Sequence, residues 1–425
     1  MSNFIEDDRS NDGVDRRGFL KCMAWAGTGV LWTLAGGVPR SSALGELDAL
    51  SESRRKSLFF AQISDSHIGF SKAANADVTA TLQAAVGKLN GLPQAPAFVL
   101  HTGDISQLSK AEEFDTADQV LRSLKTERIF HVPGEHDVLG DNGASYLRRY
   151  GQVTSGDGWR SFDHSGVHFI GLVNVMNLKA GGLGALGAAQ IDWLRRDVSR
   201  LSSSTPIVVY AHIPLWAVYP QWGWGTDDSE QALALLRRFG SVTVLNGHIH
   251  QVMQKVEGHV AFHTALSTAF PQPAPGTAPS PGPMTVDARR LRSFLGISHA
   301  TWIEGRSTLA TVDSTLSGEP VGDFASGHDQ MTTGRAKPAL VLAANQVGID
   351  NFSFTPAVLS VKPGTEVTWI NNDDVPHVIM NRQLKFPPSK VLDTGQRYSH
   401  RFTRPGTYDY YCSIHPKMTG KVIVA

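Results

Sequence analysis

The sequence predicts an α/β sandwich over about residues 57–316, followed by an all-β sandwich over 339–425. Three observations lead to this division. In the first region, short apolar strands alternate with amphipathic helical segments. In the second, short β-rich runs are separated by turns such as the one at 362–364. Finally, 425 residues are about two to three times the length of a typical domain.

Composition and charge exclude several classes of function. The chain has 39 Lys plus Arg against 39 Asp plus Glu, which gives no electrostatic bias toward nucleic acid or an anionic membrane. Hydrophobic residues make up 41% of the chain, which suits globular domains rather than a disordered polymer. The two cysteines, Cys22 and Cys412, are too few for a disulfide framework, so each thiol needs its own explanation.

Residues 1–43 have the features of an export signal. Arg16 and Arg17 precede an uncharged, apolar run from Cys22 to Pro39, and small residues at 41–43 offer a cleavage site. This segment resembles a twin-arginine signal, which implies a periplasmic protein. The alternative, an amphipathic first helix, fits less well because the run is apolar on all sides. No later stretch reaches the roughly 18 apolar residues needed to cross a bilayer, so we expect no membrane span in the mature chain.

The first domain is predicted to alternate strands and helices in the manner of an α/β layer fold. Strands are expected at 58–63, 97–100, 128–132, 168–173, 207–210 and 242–245, and helices at 78–89, 111–124, 188–201 and 229–239. A proline-rich tract, 271–283, is expected to be an exposed, extended loop. Structured segments at 289–295, 300–304 and 308–312 are expected to return to the sheet, and 317–338 to link the two domains.

Five of the six predicted strands run directly into histidines and acidic residues. These side chains are Asp65 and His67, Asp104, Glu135 and His136, His212, and His248 and His250. Side chains that follow the strands of such a fold meet at one edge of the sheet. Imidazole and carboxylate together suit manganese, iron or zinc, and a pair of such ions can polarise a phosphoryl group and hold a bridging hydroxide.

The ordered motifs Asp-x-His, Gly-Asp, Gly-x-His-Asp, His and Gly-His-x-His resemble those of calcineurin-like metallophosphoesterases over about residues 57–316. The resemblance implies hydrolysis of phosphate mono- or diesters at two metal ions. One ion would be held by Asp65, His67 and His250, the other by Glu135, His212 and His248, and Asp104 would bridge both. His136 would be the catalytic residue that stabilises phosphoryl charge or protonates the leaving group.

Glu135 departs from the family pattern, which has asparagine at this position. The extra carboxylate would make the metal site less positive, which weakens phosphate attraction and strengthens metal retention. Trivalent iron would restore the charge. The alternative is a domain that binds a phosphorylated ligand or a partner without hydrolysis, because the longer side chain fills the place of the substrate phosphate. We favour hydrolysis, since every other ligand type is present.

An aromatic loop follows His212. It contains Trp216, Tyr219, Trp222 and Trp224, and its prolines and glycines at 214, 220, 223 and 225 argue against a regular helix. Packing within a long loop is the favoured interpretation. The alternative is an aromatic rim that grips the leaving group of the substrate.

The C-terminal domain carries a second set of metal ligands. Cys412, His415 and Met418 lie within seven residues, and His377, expected on another strand, precedes Cys412 by 35 positions. Two imidazoles, a thiolate and a thioether form the ligand set of an electron-transferring copper site. The motif resembles that of amicyanin- and plastocyanin-like cupredoxins, which implies a Greek-key β-sandwich with one copper ion. His415 would be the partly exposed ligand through which an electron passes to a redox partner protein.

Together these patterns predict an exported dinuclear-metal phosphoesterase fused to a blue-copper electron-transfer domain. The alternative, based on Glu135, is a copper or electron-transfer protein whose larger domain only binds its ligand. Phosphoester hydrolysis needs no electrons, so the sequence does not explain why the two domains are joined.

Overall fold

The computed structural model describes residues 30–35, 38–43, 57–126, 128–176, 178, 183–303, 309–324, 341–415 and 417–425. The two arginines of the export motif and Cys22 lie outside these residues, as does most of the predicted linker. Two short strands, β1 (Val30–Ala35) and β2 (Val38–Ala43), form a hairpin that pairs with the first sheet of the larger domain. The export signal stays a prediction.

The larger domain consists of two sheets flanked by helices. Its strands are β3 (Ser57–Ile63), β4 (Val99–His101), β5 (Ile129–His131), β6 (Arg160–His164), β7 (Val167–Gly171), β8 (Ile207–Ala211), β9 (Val242–Asn246), β10 (Gln254–Glu257), β11 (Val260–Thr264), β12 (Gly296–Ile303) and β13 (Leu309–Thr315). Its α-helices are α1 (Val78–Asn90), α2 (Ala111–Leu121), α3 (Ala144–Tyr150), α4 (Ala188–Val198) and α5 (Ser229–Leu236). Within the described part of the chain, none of the helices is long and apolar enough to cross a bilayer.

The two sheets stack face to face and form the centre of an α/β/β/α sandwich. Their strand orders are β2-β1-β13-β12-β3-β4-β5 and β10-β11-β9-β8-β7-β6. Phe60, Phe98 and Phe169 pack between the sheets, because alternate side chains of each strand point inward. Apolar faces of α1 and α2 cover the first sheet, and those of α4 and α5 cover the second. This burial of apolar surface, worth about 25 cal/mol per Å², holds the layers together.

Local sequence explains where several helices begin and end. The carboxylate of Asp77 accepts a hydrogen bond from the N–H of Ala80 (2.9 Å) and caps α1. Three predicted helices are shorter than expected at their C-terminal ends. There the chain tightens into hydrogen bonds to the carbonyl three residues earlier, donated by the N–H groups of Leu124, Leu201 and Phe239.

Several features of the larger domain differ from the sequence prediction. Strands β6, β10 and β11 and helix α3 were not predicted. All four residues of β10 are exposed, so no alternating pattern marks that strand. The expectation that the proline-rich tract 271–283 is exposed is wrong. Pro271 and Ser280 are buried and most other residues of the tract are half-buried, because the tract packs between the two domains.

The C-terminal domain is an all-β sandwich. Its strands are β14 (Gln346–Asp350), β15 (Ser353–Thr355), β16 (Val358–Val361), β17 (Thr365–Asn371), β18 (Ile379–Asn381), β19 (Arg397–Phe402), β20 (Gly406–Cys412) and β21 (Thr419–Val424). They form two four-stranded sheets, ordered β15-β14-β17-β19 and β16-β21-β20-β18. Trp369, Phe402 and Tyr410 fill the core between the sheets.

The two domains are in direct contact. Leu139 of the larger domain belongs to the apolar core of the C-terminal domain. Lys72 pairs with Asp393 at 3.7 Å, and the Lys417 ammonium donates a hydrogen bond to the carbonyl of Pro220. These contacts place the two predicted metal sites on either side of one interface.

Candidate metal centres and the cavity between them

The predicted ligands of the larger domain lie in loops directly after parallel strands. Asp65 and His67 follow β3, Asp104 follows β4, Glu135 and His136 follow β5, His212 follows β8, and His248 and His250 follow β9. The first three strands are neighbours in one sheet, and the last two are neighbours in the other. All of these side chains therefore converge at one edge of the sandwich.

The backbone of these loops adopts a conformation that favours glycine. Positive φ angles occur at Asp65 (54°), His67 (42°), Asp104 (51°), His248 (71°) and His250 (55°). Residues other than glycine rarely adopt such angles, and the strain collects at functional sites. Gly134 has a different role, because a Cβ there would lie 2.0 Å from Asp104 Oδ1. Only glycine lets the two loops approach so closely.

The first predicted ligand set forms a compact cluster. His67 Nε2 lies 3.3 Å from His250 Nε2 and 3.5 Å from Asp104 Oδ2. His250 Nε2 lies 3.3 Å from Asp65 Oδ1. The donor atoms of Asp65, His67 and His250 are all within 4.8 Å of one another, which is close enough for one metal ion to be shared.

The second predicted set lies beside the first. His212 Nε2 is 2.9 Å from Glu135 Oε2 and 3.4 Å from Asp104 Oδ2. His248 Nδ1 is 2.9 Å from Glu135 Oε1. Because Asp104 Oδ2 contacts a histidine of each cluster, Asp104 has the position of a bridging ligand. His136 also lies within 4.8 Å of the donor atoms of His67 and Asp104.

Three of the imidazoles are oriented by an oxygen atom behind them. The pairs are His67 Nδ1 with Gln107 Oε1 (2.9 Å), His212 Nδ1 with the carbonyl of Thr102 (2.7 Å) and His250 Nδ1 with the carbonyl of Phe270 (2.6 Å). When Nδ1 donates to such an oxygen, the lone pair of Nε2 points into the site. Metal-binding histidines are held in this way.

Two supporting residues were not predicted as part of the site. Gln107 orients His67, and Asp137 accepts hydrogen bonds from the N–H groups of Ser106 (2.8 Å) and Gly134 (3.0 Å). Burial raises the pKa of Asp137 to about 7, and the nearby Asp104 charge adds to this effect. Asp137 stands in the Gly-x-His-Asp motif, but its contact with Ser106 spans 31 residues and the contact of Gln107 with His67 spans 40 residues. The sequence therefore does not show either of these two contacts.

Buried carboxylates dominate the charge of the site. Burial raises the pKa of Glu135, but the His248 and His212 imidazoles outweigh burial and hold this pKa well below its usual range. A similar balance holds the pKa of Asp65 below its usual range. Burial lowers the pKa of His212, but Asp104 and Glu135 outweigh burial and raise it well above its usual value. The site therefore keeps its carboxylates ionised and attracts cations.

The donor atoms fit two metal ions. Among the residues that the structure describes, the buried atoms Glu135 Oε2, His212 Nε2 and His248 Nδ1 make ionic contacts at 2.9 Å but no hydrogen bond of good geometry. A buried polar atom without a partner costs about 1–3 kcal/mol, and a bound cation would remove this cost. The mixture of imidazole nitrogen and carboxylate oxygen suits manganese, iron or zinc.

The predicted copper ligands also converge. Cys412 ends β20, and its N–H donates to the carbonyl of Met418 (3.1 Å), whose own N–H donates to the carbonyl of His415 (2.9 Å). His415 Nδ1 lies 3.3 Å from His377 Nδ1 and 3.7 Å from Cys412 Sγ. The prediction that His377 lies on a strand is wrong, because it forms an isolated bridge with Leu392 just before β18.

The surroundings of Cys412 favour a thiolate. Burial raises the pKa of its thiol, but the His377 and His415 imidazoles outweigh burial and hold this pKa well below its usual range. The N–H of Val378 points at the sulfur at 3.5 Å. His377 Nε2 bonds Asp373 Oδ2 (2.9 Å), which leaves Nδ1 for a metal. A thiolate, two imidazole nitrogens and a buried thioether at Met418 fit copper.

A cavity of about 390 Å³ lies between the two sets of ligands. Glu135, His136 and His248 line one side, and His415 and Met418 line the other. His415 is half-buried. His415 was expected to meet a partner protein on one face of the C-terminal domain, but the larger domain covers that face. The exposed part of the His415 side chain therefore faces the cavity.

The aromatic loop after His212 packs against itself and also reaches the cavity. Trp224 is buried and packs edge-on against Trp222, with ring centroids 5.0 Å apart. Trp222 is half-buried and lines the cavity. Within this segment, Trp224 therefore packs the loop, and Trp222 forms part of the cavity wall.

Comparison with known proteins agrees with this geometry. Residues 341–425 match copper-binding proteins of the plastocyanin/azurin family. Over 88 residues, the chain is 38% identical to amicyanin-alpha of Methylorubrum extorquens, a match that covers 19% of this chain and 71% of that protein. The chain belongs to the plastocyanin/azurin family through this domain. Residues 60–252 match the calcineurin-like phosphoesterases, and we name the larger domain the phosphoesterase domain after this match.

Two further similarities concern the phosphoesterase domain. Over 208 residues, it is 26% identical to a 3′,5′-cyclic-nucleotide phosphodiesterase of Nostoc sp., covering 48% of this chain and 75% of that protein. A solved dimetal phosphatase of Danio rerio aligns over 60% of this chain and 98% of its own length, with 15% identity and a TM-score of 0.42. The two family matches divide the chain into a domain similar to calcineurin-like phosphoesterases and a C-terminal cupredoxin domain.

Proposed function

We propose that this protein is an exported, metal-dependent phosphoester hydrolase joined to a copper-containing electron-transfer domain. The observation that supports it is the convergence of seven potential ligands from five loops beside His136, which lines the cavity between the domains. Because the relative from Nostoc sp. is named for 3′,5′-cyclic nucleotides, phosphodiesters are included among the substrates to be tested.

The metal ions, when bound, supply the Lewis acidity that polarises a phosphoryl oxygen and activates water. The side chains of the protein position the reacting groups, and His136 supplies a proton. Nδ1 of His136 donates to the carbonyl of Gln107 (2.8 Å), which directs Nε2 toward the metal ligands. Burial lowers the pKa of His136, but Asp104 and Glu135 outweigh it and raise this pKa above its usual value. A protonated His136 can therefore donate to the leaving group.

A second candidate function is binding without hydrolysis, and Glu135 favours it. Its two carboxylate oxygens each lie 2.9 Å from a histidine of the second cluster. The carboxylate thus occupies the position where the family has a neutral amide, and it lowers the positive charge that attracts a phosphate group.

The proposed catalytic role of His136 is tested with the full chain loaded with manganese, iron or zinc. We expect His136→Ala to lower the turnover of mono-, di- or cyclic phosphoesters by about 10²–10⁴-fold while metal content stays near wild type. His263→Ala is the control, because His263 is buried and bonds Asp313, away from the ligands. Loss of metal from His136→Ala would make His136 a ligand instead.

Glu135→Asn separates the two candidate functions. If Glu135 only adjusts an active site, this variant should keep or raise turnover with manganese, since the amide restores positive charge. A wild type without any phosphoesterase activity, together with activity gained by Glu135→Asn, would favour the binding function. A chain that holds fewer than two metal ions in its larger domain would overturn both.

Export is tested with Arg16→Lys and Arg17→Lys combined. The twin-arginine route depends on the arginine pair, so the double variant should remain in the cytoplasm with its metals bound. Fractionation with an antibody to the cupredoxin domain measures the distribution. Normal export of the double variant would point to another route.

A further inference from the structure

Phe352 lies in the cavity wall in an unfavourable backbone conformation. It is the second residue of the two-residue turn between β14 and β15, where Asp350 pairs with Ser353. Both turn residues have positive φ, 50° at Asn351 and 54° at Phe352. Hairpin turns of this kind favour asparagine followed by glycine. Asn351 fits this rule, but Phe352 occupies the glycine position at a cost in free energy. Such a cost points to a use for the side chain.

Contacts from both domains hold this turn in place. The carboxylate of Asp373 accepts hydrogen bonds from the N–H groups of Asn351 (2.7 Å) and Phe352 (2.8 Å). From the phosphoesterase domain, the Ser280 hydroxyl donates to Asn351 Oδ1. A Cβ added to Gly282 would lie 3.4 Å from the Phe352 ring, so the proline-rich tract packs directly against it. The position of the ring is therefore fixed before any ligand binds.

The Phe352 ring lies beside the copper ligands in the wall of the cavity. Its centroid is 4.7 Å from that of His415 and 5.8 Å from that of His377. The ring is half-buried and lines the cavity together with Trp222 from the phosphoesterase domain. Four of the candidate metal ligands and His136 line the same cavity; the ligands are His67, Asp104, Glu135 and His248. A phosphoester held at these ligands would extend its leaving group between two aromatic side chains, one from each domain.

We propose that Phe352 and Trp222 form the leaving-group subsite of the phosphoesterase, and that this subsite selects compact phosphoesters with a planar, ring-shaped leaving group. This inference rests on the proposed hydrolase function. A cavity of about 390 Å³ is near the lower end of the range for small-molecule sites, and aromatic rings contribute affinity through stacked or edge-on contacts. The cupredoxin domain thus completes the substrate site, which gives the fusion of the two domains a physical reason.

The test compares two non-hydrolysable probes on the full, metal-loaded chain by calorimetry. Phenylphosphonate and methylphosphonate present the same phosphonate group, but only the first has a ring. We expect phenylphosphonate to bind wild type at least about tenfold more tightly. Phe352→Gly should remove most of this difference, and it keeps the turn because glycine suits positive φ. Tyr408→Ala is the matched control, since Tyr408 is a half-buried aromatic residue packed against the same core.

The copper spectrum provides a second readout. Because the ring lies 4.7 Å from His415, phenylphosphonate should shift the visible band of the copper-loaded wild type, and methylphosphonate should shift it less. An unchanged band in Phe352→Gly without a probe shows that the copper site is intact. Three outcomes would overturn the subsite. They are equal affinity of wild type for both probes, a loss of the affinity difference in Tyr408→Ala as large as that in Phe352→Gly, and a copper band that bound phenylphosphonate leaves unchanged. Failure of both probes to bind would overturn the proposed hydrolase function together with it.

Discussion

The dinuclear site and the copper site are assembled in opposite ways. In the phosphoesterase domain, neighbouring ligands such as His67 and His250 are 183 residues apart. In the cupredoxin domain, Cys412 and His415 are three residues apart and share one closed loop. The first site therefore depends on the whole sandwich, whereas most of the second is organised by a single turn after β20.

The backbone shows the same contrast. Five residues of the dinuclear site have positive φ, but His377, Cys412, His415 and Met418 do not. The strained loops of the phosphoesterase domain are held by packing between two sheets. The copper loop is held by its own hydrogen bonds. We infer that damage to the phosphoesterase core reaches its metal site more easily than damage to the cupredoxin core reaches copper.

The largest expected effect is that of Asp104→Asn. The amide cannot neutralise two cations at once, so we expect loss of most metal from the larger domain and a fall in turnover above the roughly 100-fold typical of supporting residues. The copper band should not change. Elemental analysis and a visible spectrum of the same sample measure both. A variant that keeps two metal ions would show that Asp104 is not a bridge.

Cys412→Ser removes a ligand of the copper site and leaves the dinuclear site unaltered. Removing the thiolate should abolish the visible charge-transfer band of copper. The metal content of the phosphoesterase domain should stay at the wild-type level, because no ligand of that domain is altered. Met418→Leu is the companion variant, and it should keep the band and shift the reduction potential. A colourless, copper-bound wild type would contradict the blue-copper assignment.

Gln107→Ala tests whether the hydrogen bond to Nδ1 of His67 orients this histidine for metal binding. Its side chain bonds His67 Nδ1, but its contact with His136 is through the backbone carbonyl, which the variant keeps. Metal affinity should therefore fall about 10–100-fold. Gln190→Ala is the control, because this buried glutamine bonds Val173 and Leu186 away from the site. Equal affinity losses in the two variants would indicate a general effect on stability.

The smallest expected effect concerns His168, which lies away from both sites. Its two ring nitrogens contact Asp163 (2.8 Å) and Asp197 (2.9 Å). Burial lowers its pKa, but these carboxylates outweigh burial and raise the pKa in the folded state. The charge interaction is therefore fully present below the unfolded pKa of about 6.5 and is lost as pH rises through the higher folded value.

His168→Gln should accordingly destabilise the protein more at pH 5.5 than at pH 9. The difference should not exceed about 1 kcal/mol, because solvent screens these partly exposed carboxylates. Urea unfolding of the full chain at the two pH values measures it. Equal destabilisation at both would assign the effect to packing alone.

The candidate ligands could be located from the sequence, because most of them stand in short motifs that directly follow a strand. Asp65, Asp104 and His212 follow apolar runs that are recognisable without any tertiary information. The copper ligands Cys412 and His415 are even more local. The departure at Glu135 was also visible, since it alters one letter within an otherwise regular motif.

The tertiary structure alone decided how these parts face each other. The contact of Gln107 with His67, the burial of Ser280 and the covering of His415 arise between segments that are distant along the chain. No periodicity records such contacts, because a side chain's partners across an interface depend on how whole domains pack. For the same reason, the sequence alone does not distinguish Phe352, whose ring lines the cavity between the two candidate metal sites.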